Sequence, residues 1–428
     1  MLVFPAGTEI GLEILAALGH CRNITLFGAG EDVSNHARLA YPEYHIVPSV
    51  HHDGWLKRLA VLCAELGIDY VFPAHDDVVL ALSQVREQLP AAVISSPADA
   101  CSTTRSKTAT YRRLAGIVPV SRLYSTAAEV DAFPVLVKPD RSQGSQGVSI
   151  IDDVQQLAHA LRNTPDPLIC EYLPGDEYTV DCFTSQRRGL LFAGARRRRR
   201  TRNGISVNTI TEDLPEVRAM AEAISNELDL RGGWFFQLKR DATGTLTLLE
   251  VAPRIAGSMA AHRVSGVNFP LLSILEHEGI DVQIATNTGR VEMDRALRNR
   301  YFHEVRFASL YLDLDDTLIC NGAINLDIVK LIFACINQGK RVTLITRHRG
   351  DLNRTLNKYK LSGLFDEIIH VQDDAPKSRY IDDPLAIFID DSFSERMTVV
   401  AECGIPTFDA SMIELLNDQA EPLDRPLP

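Results

Sequence analysis

The chain has 428 residues, 45% of them hydrophobic and 23% charged, with a net charge of −12 at neutral pH. That length exceeds what one hydrophobic core usually spans and predicts two or three domains, while the acidic balance excludes a general nucleic-acid binder, whose domains are usually basic. Eight scattered cysteines without a CxxC pair, and no apolar stretch near the ~18 residues of a membrane span, predict reduced thiols in a cytoplasmic protein with no membrane partner.

Residues 1 to about 97 alternate short strands with amphipathic helices. Leu2-Val-Phe4 reads as a strand, and Thr8 as the N-cap of a helix from Glu9 to Leu18. Ile24 to Phe27 reads as a second strand ending at Gly28-Ala-Gly30, and Tyr70 to Phe72 as another, followed by a helix through Leu82. Such alternation predicts a parallel sheet covered on both faces. Gly28 and Gly30 lack the third glycine and the later acid of a dinucleotide fingerprint, so no nicotinamide site is expected. The turn at Gly7 can line a substrate cleft, though a structural glycine is the plainer reading.

From Thr103 the character changes. Arg105-Ser-Lys107 opens a helix that runs from Thr108 to Leu114 and stops at Gly116. Phe133 to Lys138 and Val148 to Ile151 read as strands joined by Asp140-Arg-Ser-Gln-Gly144-Ser145-Gln-Gly147. A Gly/Ser loop between strands can close backbone N–H groups over phosphate oxygens, and Lys138 at its edge can neutralise a phosphate. Leu168 to Leu173 reads as a strand turning at Pro174-Gly-Asp-Glu177 into another from Tyr178 to Phe183. This segment offers backbone groups to an adenine edge and a carboxylate to ribose hydroxyls. Arg196 to Arg200, with Arg202, follows a strand from Leu190 to Ala193. Most of these arginines are expected to face water, but alternate residues share a face, so two or three can point into a cleft toward triphosphate or an anionic substrate.

Gly233 to Lys239 and Thr245 to Arg254 read as a hairpin turned by Asp241-Ala-Thr-Gly244. The pairing sets Gln237 near Glu250, where a buried strand ends in an acid and then, past Pro253, an arginine. That is a place to hold a metal and a phosphate, although alone it also fits an ordinary hairpin with a surface acid. Residues 280–305 read as a connector. Ala308 to Leu312 then reads as a buried strand ending in Asp313-Leu-Asp315-Asp316-Thr317, Arg341 to Ile345 as one ending in Thr346, and Ala386 to Ile389 as one ending in Asp390-Asp391, with Lys377 between the last two. Carboxylates at i and i+2 past a strand can face one magnesium and one phosphate. The end of the chain, from Glu421, reads as a frayed tail.

Two resemblances organise these pieces into an α/β multi-domain protein. Residues 1 to about 300 resemble the ATP-grasp superfamily, in particular the branch like the large subunit of carbamoyl-phosphate synthetase. This implies a Rossmann-like pre-ATP-grasp domain over 1–100 and an ATP-grasp domain over 101–303, with a lid at about 105–165 and an α+β core at about 166–303. It also implies phosphate-binding roles for Lys107 and Lys138, a flexible loop at Gly144, Ser145 and Gly147, and an adenine hinge at Glu171, Tyr172 and Leu173. Glu177 becomes the ribose-side acid, Gln237 and Glu250 magnesium ligands, and Arg254 the arginine beside the transferred phosphate. Ala252 departs from the Asn often found there, which leaves one oxygen ligand of a second magnesium to water or substrate.

Residues 307–418, before a tail at 419–428, resemble the haloacid dehalogenase superfamily, a Rossmannoid α/β fold. In that family's roles Asp313 is the nucleophile and Asp315 the general acid/base. Thr346 and Lys377 hold phosphoryl oxygens, and magnesium is bound by Asp313, Asp315 and Asp390 or Asp391. Only 28 residues separate Thr317 from Thr346 and 30 separate Thr346 from Lys377, too few for a cap domain. The site is therefore expected to be open, or covered by the ATP-grasp portion. Together the resemblances imply a magnesium-dependent, ATP-dependent ligase joining a small carboxylate to an amine, fused to a phosphatase acting on a phosphorylated substrate. The alternative is a phosphatase whose ATP-grasp portion binds nucleotide as a regulator.

Overall fold

The structure is a computed structural model and describes residues 1–142, 144, 146–301 and 303–417. The tail expected over 419–428 and Ser145 lie outside the described residues. The chain divides into two compact units, Met1–Arg298 and Asn299–Pro428. Among the described residues no helix is long and apolar enough to cross a membrane, and all eight cysteines are free thiols.

The first unit opens with five short strands, β1 (Leu2–Phe4), β2 (Phe27–Gly30), β3 (Tyr44–Ile46), β4 (Tyr70–Pro73) and β5 (Ala92–Val93). They form a parallel sheet in the order β3-β2-β1-β4-β5. Thr8 caps the helix Glu9–Leu18 by accepting from the Gly11 N–H. The second strand begins at Phe27, later than its Ile24 start in the sequence reading, and it includes both glycines. A Cβ on Gly28 would meet the Tyr41 ring at 2.8 Å, and one on Gly30 the Tyr44 hydroxyl at 2.4 Å. These glycines serve packing.

A small antiparallel sheet follows, β6 (Leu123–Tyr124), β7 (Val135–Pro139), β8 (Ser149–Ile151) and β9 (Pro167–Glu171), ordered β6-β9-β7-β8. The six-stranded sheet comes next: β10 (Glu177–Ser185), β11 (Gly189–Arg202), β12 (Ile205–Glu212), β13 (Gly232–Arg240), β14 (Leu246–Ala252) and β15 (Glu292–Asp294), ordered β14-β13-β10-β11-β12-β15. The arginine run extends strand β11 beyond Ala193, so the alternation expected of it applies. One segment departs from the sequence reading: the connector region supplies β15, which closes the sheet edge through Asn208, Thr209 and Ile210. Charge pairing supports it, because Arg199 meets Glu292 at 2.7 Å and Arg200 meets Asp294 at 2.8 Å across the strands.

One face of this sheet is apolar. Val180, Cys182, Trp234, Phe236, Leu238 and Leu248 pack against the helix Glu216–Leu228. Trp234 stacks on Phe236 and donates its Nε1–H to Thr184. Because side chains alternate along a strand, the opposite face is free for polar residues.

The second unit holds a parallel sheet of β16 (Ser309–Leu312), β19 (Arg341–Thr346), β20 (Glu367–His370), β21 (Ala386–Ile389) and β22 (Thr407–Phe408), in the order β20-β19-β16-β21-β22. A hairpin of β17 (Ile319–Cys320) and β18 (Ala323–Ile324) follows β16. Both faces of the sheet are buried, by Leu310, Leu312, Ile387 and Ile389 on one side and Tyr311, Ile345 and Phe388 on the other.

Replacing Trp234 by Ala is expected to cost the first unit about 3–5 kcal/mol, from lost burial and the cavity left behind. Denaturant unfolding followed by circular dichroism checks this, and a cost below about 1 kcal/mol would show that the aromatic stack is not central to that core.

Candidate functional site

The polar face of the six-stranded sheet forms one wall of a cavity of about 730 Å³ in the first unit. Strand register sets its rows. Glu250 stands opposite Gln237, as the hairpin reading expects, then Gln237 opposite Thr179 and Thr179 opposite Arg196. One step along, Lys239 faces Glu177, which pairs with Arg198 at 3.2 Å. On the other side, Ala252 faces Phe235. Lys107, Lys138, Gly144, Glu171, Tyr172, Leu173, Glu177, Gln237, Glu250 and Arg254 all line this cavity; Gly147 does not, and its positive φ of 69° instead turns the loop against Pro139.

The lysines are held by their own neighbourhood. Lys138 sits at the end of β7, buried, and donates to the Tyr111 hydroxyl at 2.9 Å, which donates to the Leu249 carbonyl at 2.6 Å. Lys107 begins its helix under the Ser106 cap and donates to the Ser142 hydroxyl at 3.1 Å. Burial lowers the Lys107 pKa; Glu250 opposes this and the nearby Lys138 adds to it. A bound anion would stabilise such a cation pair. At the end of β9, the Glu171 carboxylate accepts the Arg122 backbone N–H at 2.9 Å, and the Lys239 ammonium lies over the Tyr172 ring.

Arg254 is arranged differently from the sequence reading. Its Nε and Nη2 donate to the two oxygens of Asp76 at 2.7 and 2.6 Å, and Nη1 to the Ile255 carbonyl. The fork that would meet a phosphate is thus engaged by a carboxylate. The arginine run divides by alternation, as the sequence leads one to expect: the Arg196 and Arg198 side chains are buried on the cavity wall, while Arg197, Arg199 and Arg200 point outward into ion pairs. Asp181 and His262 escaped sequence reasoning. The His262 Nδ1 lies 2.9 Å from the Asp181 carboxylate, which also holds Arg196. An isolated Asp inside a strand and a His on a short helix carry no spacing signal.

The second unit has its own cavity at the C-terminal ends of β16, β19 and β21, lined by Asp313, Asp315, Asp316, Thr346, His348, Lys377, Asp390 and Asp391. Lys377 Nζ bridges Asp313 and Asp390 at 2.6 Å each. Oxygens of Asp313, Asp390 and Asp391 approach within 4.8 Å of one another. An all-carboxylate set of this kind suits a hard divalent cation such as magnesium. The Asp315 carboxylate turns away from that cluster to His348 Nδ1, at 2.9 and 3.0 Å, and His348 Nε2 contacts Thr355. Asp316 takes a left-handed φ of 56°, which breaks the strand direction after Asp315. The Thr346 hydroxyl accepts the His348 backbone N–H at 3.2 Å. His348, two residues past Thr346, was not singled out in the sequence; its place in Thr-Arg-His-Arg was the available signal.

The family model described as "ATP-grasp in the biosynthetic pathway with Ter operon" matches residues 163–299. A stretch of 94 residues is 27% identical to the D-alanine–D-alanine ligase of Fusobacterium nucleatum; it covers 22% of this chain and 32% of the ligase, so the match spans about a third of that relative. Among solved structures, the biotin carboxylase domain of the Hydrogenobacter thermophilus 2-oxoglutarate carboxylase, bound to MgADP, ADP and bicarbonate, aligns with a TM-score of 0.58 at 16% identity, over 68% of this chain and 73% of that one. The L-amino acid ligase of Bacillus licheniformis aligns with a TM-score of 0.52 at 18% identity, over 64% of this chain and 72% of its own. Residues 163–299 thus resemble an ATP-grasp family model, and about two-thirds of the chain shares the fold of these neighbours. The family match stops at residue 299, so the second unit stands on its geometry alone.

Burial, with the Asp390 charge adding to it and Lys377 opposing, raises the Asp313 pKa to about 7. Without metal, this group's contribution to stability is complete at acid pH, below its ordinary pKa, and is lost as pH rises through about 7. A cation binding there must displace the proton. Magnesium affinity is therefore expected to fall about tenfold per pH unit below that value and to level off above it. Calorimetric titration on either side of neutrality reads this directly, and a pH-independent affinity would place the metal elsewhere.

Proposed function

We propose that the first unit is an ATP-dependent carboxylate–amine ligase working through an acyl phosphate. The observation that carries this reading is the single cavity in which Lys107 and Lys138 face the row of Gln237 and Glu250. Cations that neutralise phosphates, and oxygen donors suited to magnesium, converge there with a hinge at Glu171 to Leu173 beside them. The ligase relatives favour the same chemistry. Magnesium, when bound, offsets the negative charge of the nucleotide. In this reading a substrate carboxylate oxygen bonds to the γ-phosphorus of ATP as the bond to ADP breaks. The amine nitrogen then bonds to the acyl carbon, phosphate leaves, and the amine gives up one proton. The two lysines and Glu250 act in the first step by holding anions together. The loop at Gly144 serves to keep water from the acyl phosphate. Domain limits of 1–100 and 101–303 belong to this reading.

For residues 307–418 the reading is a capless haloacid dehalogenase-type phosphatase. It is supported by Asp313 and Asp390 clamped on one buried lysine at the ends of adjacent parallel strands. Asp313 is assigned the attack on phosphorus, and Lys377 holds its carboxylate in line. Asp315, away from the metal cluster, is assigned the proton that the leaving oxygen takes up. His348 fixes the orientation of Asp315.

The two activities are expected to separate by mutation. Glu250→Gln should abolish ADP release with carboxylates and amines while phosphatase turnover on a generic aryl phosphate persists. Asp313→Asn should do the reverse, cutting phosphate release by several orders of magnitude, because the shape is kept and the nucleophile lost. Equal loss of both activities in either folded variant would sink the assignment of two separate chemistries.

A further inference from the structure

On β11, in the wall of the first cavity, two arginines have polar atoms that the protein itself does not satisfy. Arg196 is 1% exposed and lines the cavity wall. Its Nε and Nη2 donate to Asp181 at 2.7 and 3.2 Å, and His262 braces that carboxylate from behind. Burial alone would raise the Asp181 pKa, but Arg196 and His262 bring it down to about 2, so the pair stays ionised. Arg196 Nη1 is buried with no hydrogen-bond partner. Two residues on, on the same face, the Arg198 side chain is 5% exposed; Glu177 takes its Nη1 and the Gly204 carbonyl its Nη2, and its Nε has no partner. Natural proteins rarely bury charged donors without partners, and an acceptor from an ordered water, an ion or a ligand satisfies those that remain; here both atoms belong to side chains that line the cavity.

The position of Arg196 narrows the ligand. In the ligase reading, nucleotide phosphates are met by Lys107 and Lys138 and by magnesium held at Gln237 and Glu250 on β13 and β14. Arg196 stands on the same cross-sheet row as Gln237 and Glu250, with Thr179 between, so its strand lies two places from that of Gln237. At the usual strand spacing that is about 10 Å of sheet. A molecule whose reacting carboxylate lies at the metal row reaches Arg196 by extending along the row. We infer that Arg196, supported by Asp181, His262 and Arg198, anchors a second anionic group, carboxylate or phosphonate-like, on the acid that the ligase activates. This rests on the ligase reading and adds that the acid substrate is at least dianionic.

The test uses the full chain with Mg·ADP and a panel of small acids in calorimetric titrations: glutarate, succinate, L-glutamate and 3-phosphonopropionate against butyrate. The diacids, or the phosphono acid if the second group is phosphate-like, are expected to bind at least about tenfold more tightly than butyrate, about 1.4 kcal/mol. Removing Arg196 alone strands the Asp181 charge, so the variant is the neutral pair Arg196→Gln with Asp181→Asn; Arg196→Lys is its charge-keeping companion. The double variant should lose the preference for a second anion, the lysine variant should keep part of it, and Mg·ADP affinity should change less than twofold in both. Equal binding of diacids and butyrate by the wild type, or a preference that survives in the double variant, overturns the inference. A tenfold loss of Mg·ADP affinity would reassign Arg196 to the nucleotide and overturn it too. Wild-type protein that does not bind Mg·ADP fails at an earlier point, in the ligase reading, and is told apart by that first titration.

Discussion

The first unit depends on the two-residue period of a half-buried sheet. The same strands that send Trp234, Phe236 and Leu238 into the core must send Phe235, Gln237 and Lys239 to the other side. A one-residue slip between β13 and β14 would carry Glu250 into the apolar layer. Hydrophobic burial therefore enforces the chemistry: the energy that fixes the core is what keeps Gln237 and Glu250 in one row.

Charge is handled the same way in both units, by pairing buried cations with carboxylates. Lys377 is shared by two carboxylates, Arg254 is taken by Asp76, and Arg196 by Asp181. Buried ion pairs add little net stability once desolvation is counted, but losing one partner is costly. Such pairs specify position. They hold stiff, pre-aimed charges where a flexible surface lysine would have to lose its side-chain freedom first.

Much of this was legible in the residues. Strand ends marked Asp313, Thr346 and Asp390, because apolar runs that stop at a polar residue show where a parallel sheet opens. The hairpin from Gly232 to Ala252 was legible from alternation and its Asp-Ala-Thr-Gly turn. What escaped was set by contacts distant in sequence. Arg254 meets Asp76 across 178 positions and His262 meets Asp181 across 81, so no local window could show that the first fork is occupied or that the second pair exists. The edge strand β15 also escaped, because Glu292 and Asp294 sit in a segment without apolar periodicity, where the strand forms through charge and edge pairing.

The Arg254–Asp76 contact also bears on how this protein could be rebuilt. Asp76 begins the helix after β4, in the opening parallel sheet, whereas Arg254 follows the strand carrying Glu250. Grafting the first hundred residues of a homologue lacking that acid would leave a buried guanidinium uncompensated, and its field would fall on Glu250. The two segments have to be inherited as a pair, so a workable chimaera junction must keep both ends of this link from one parent.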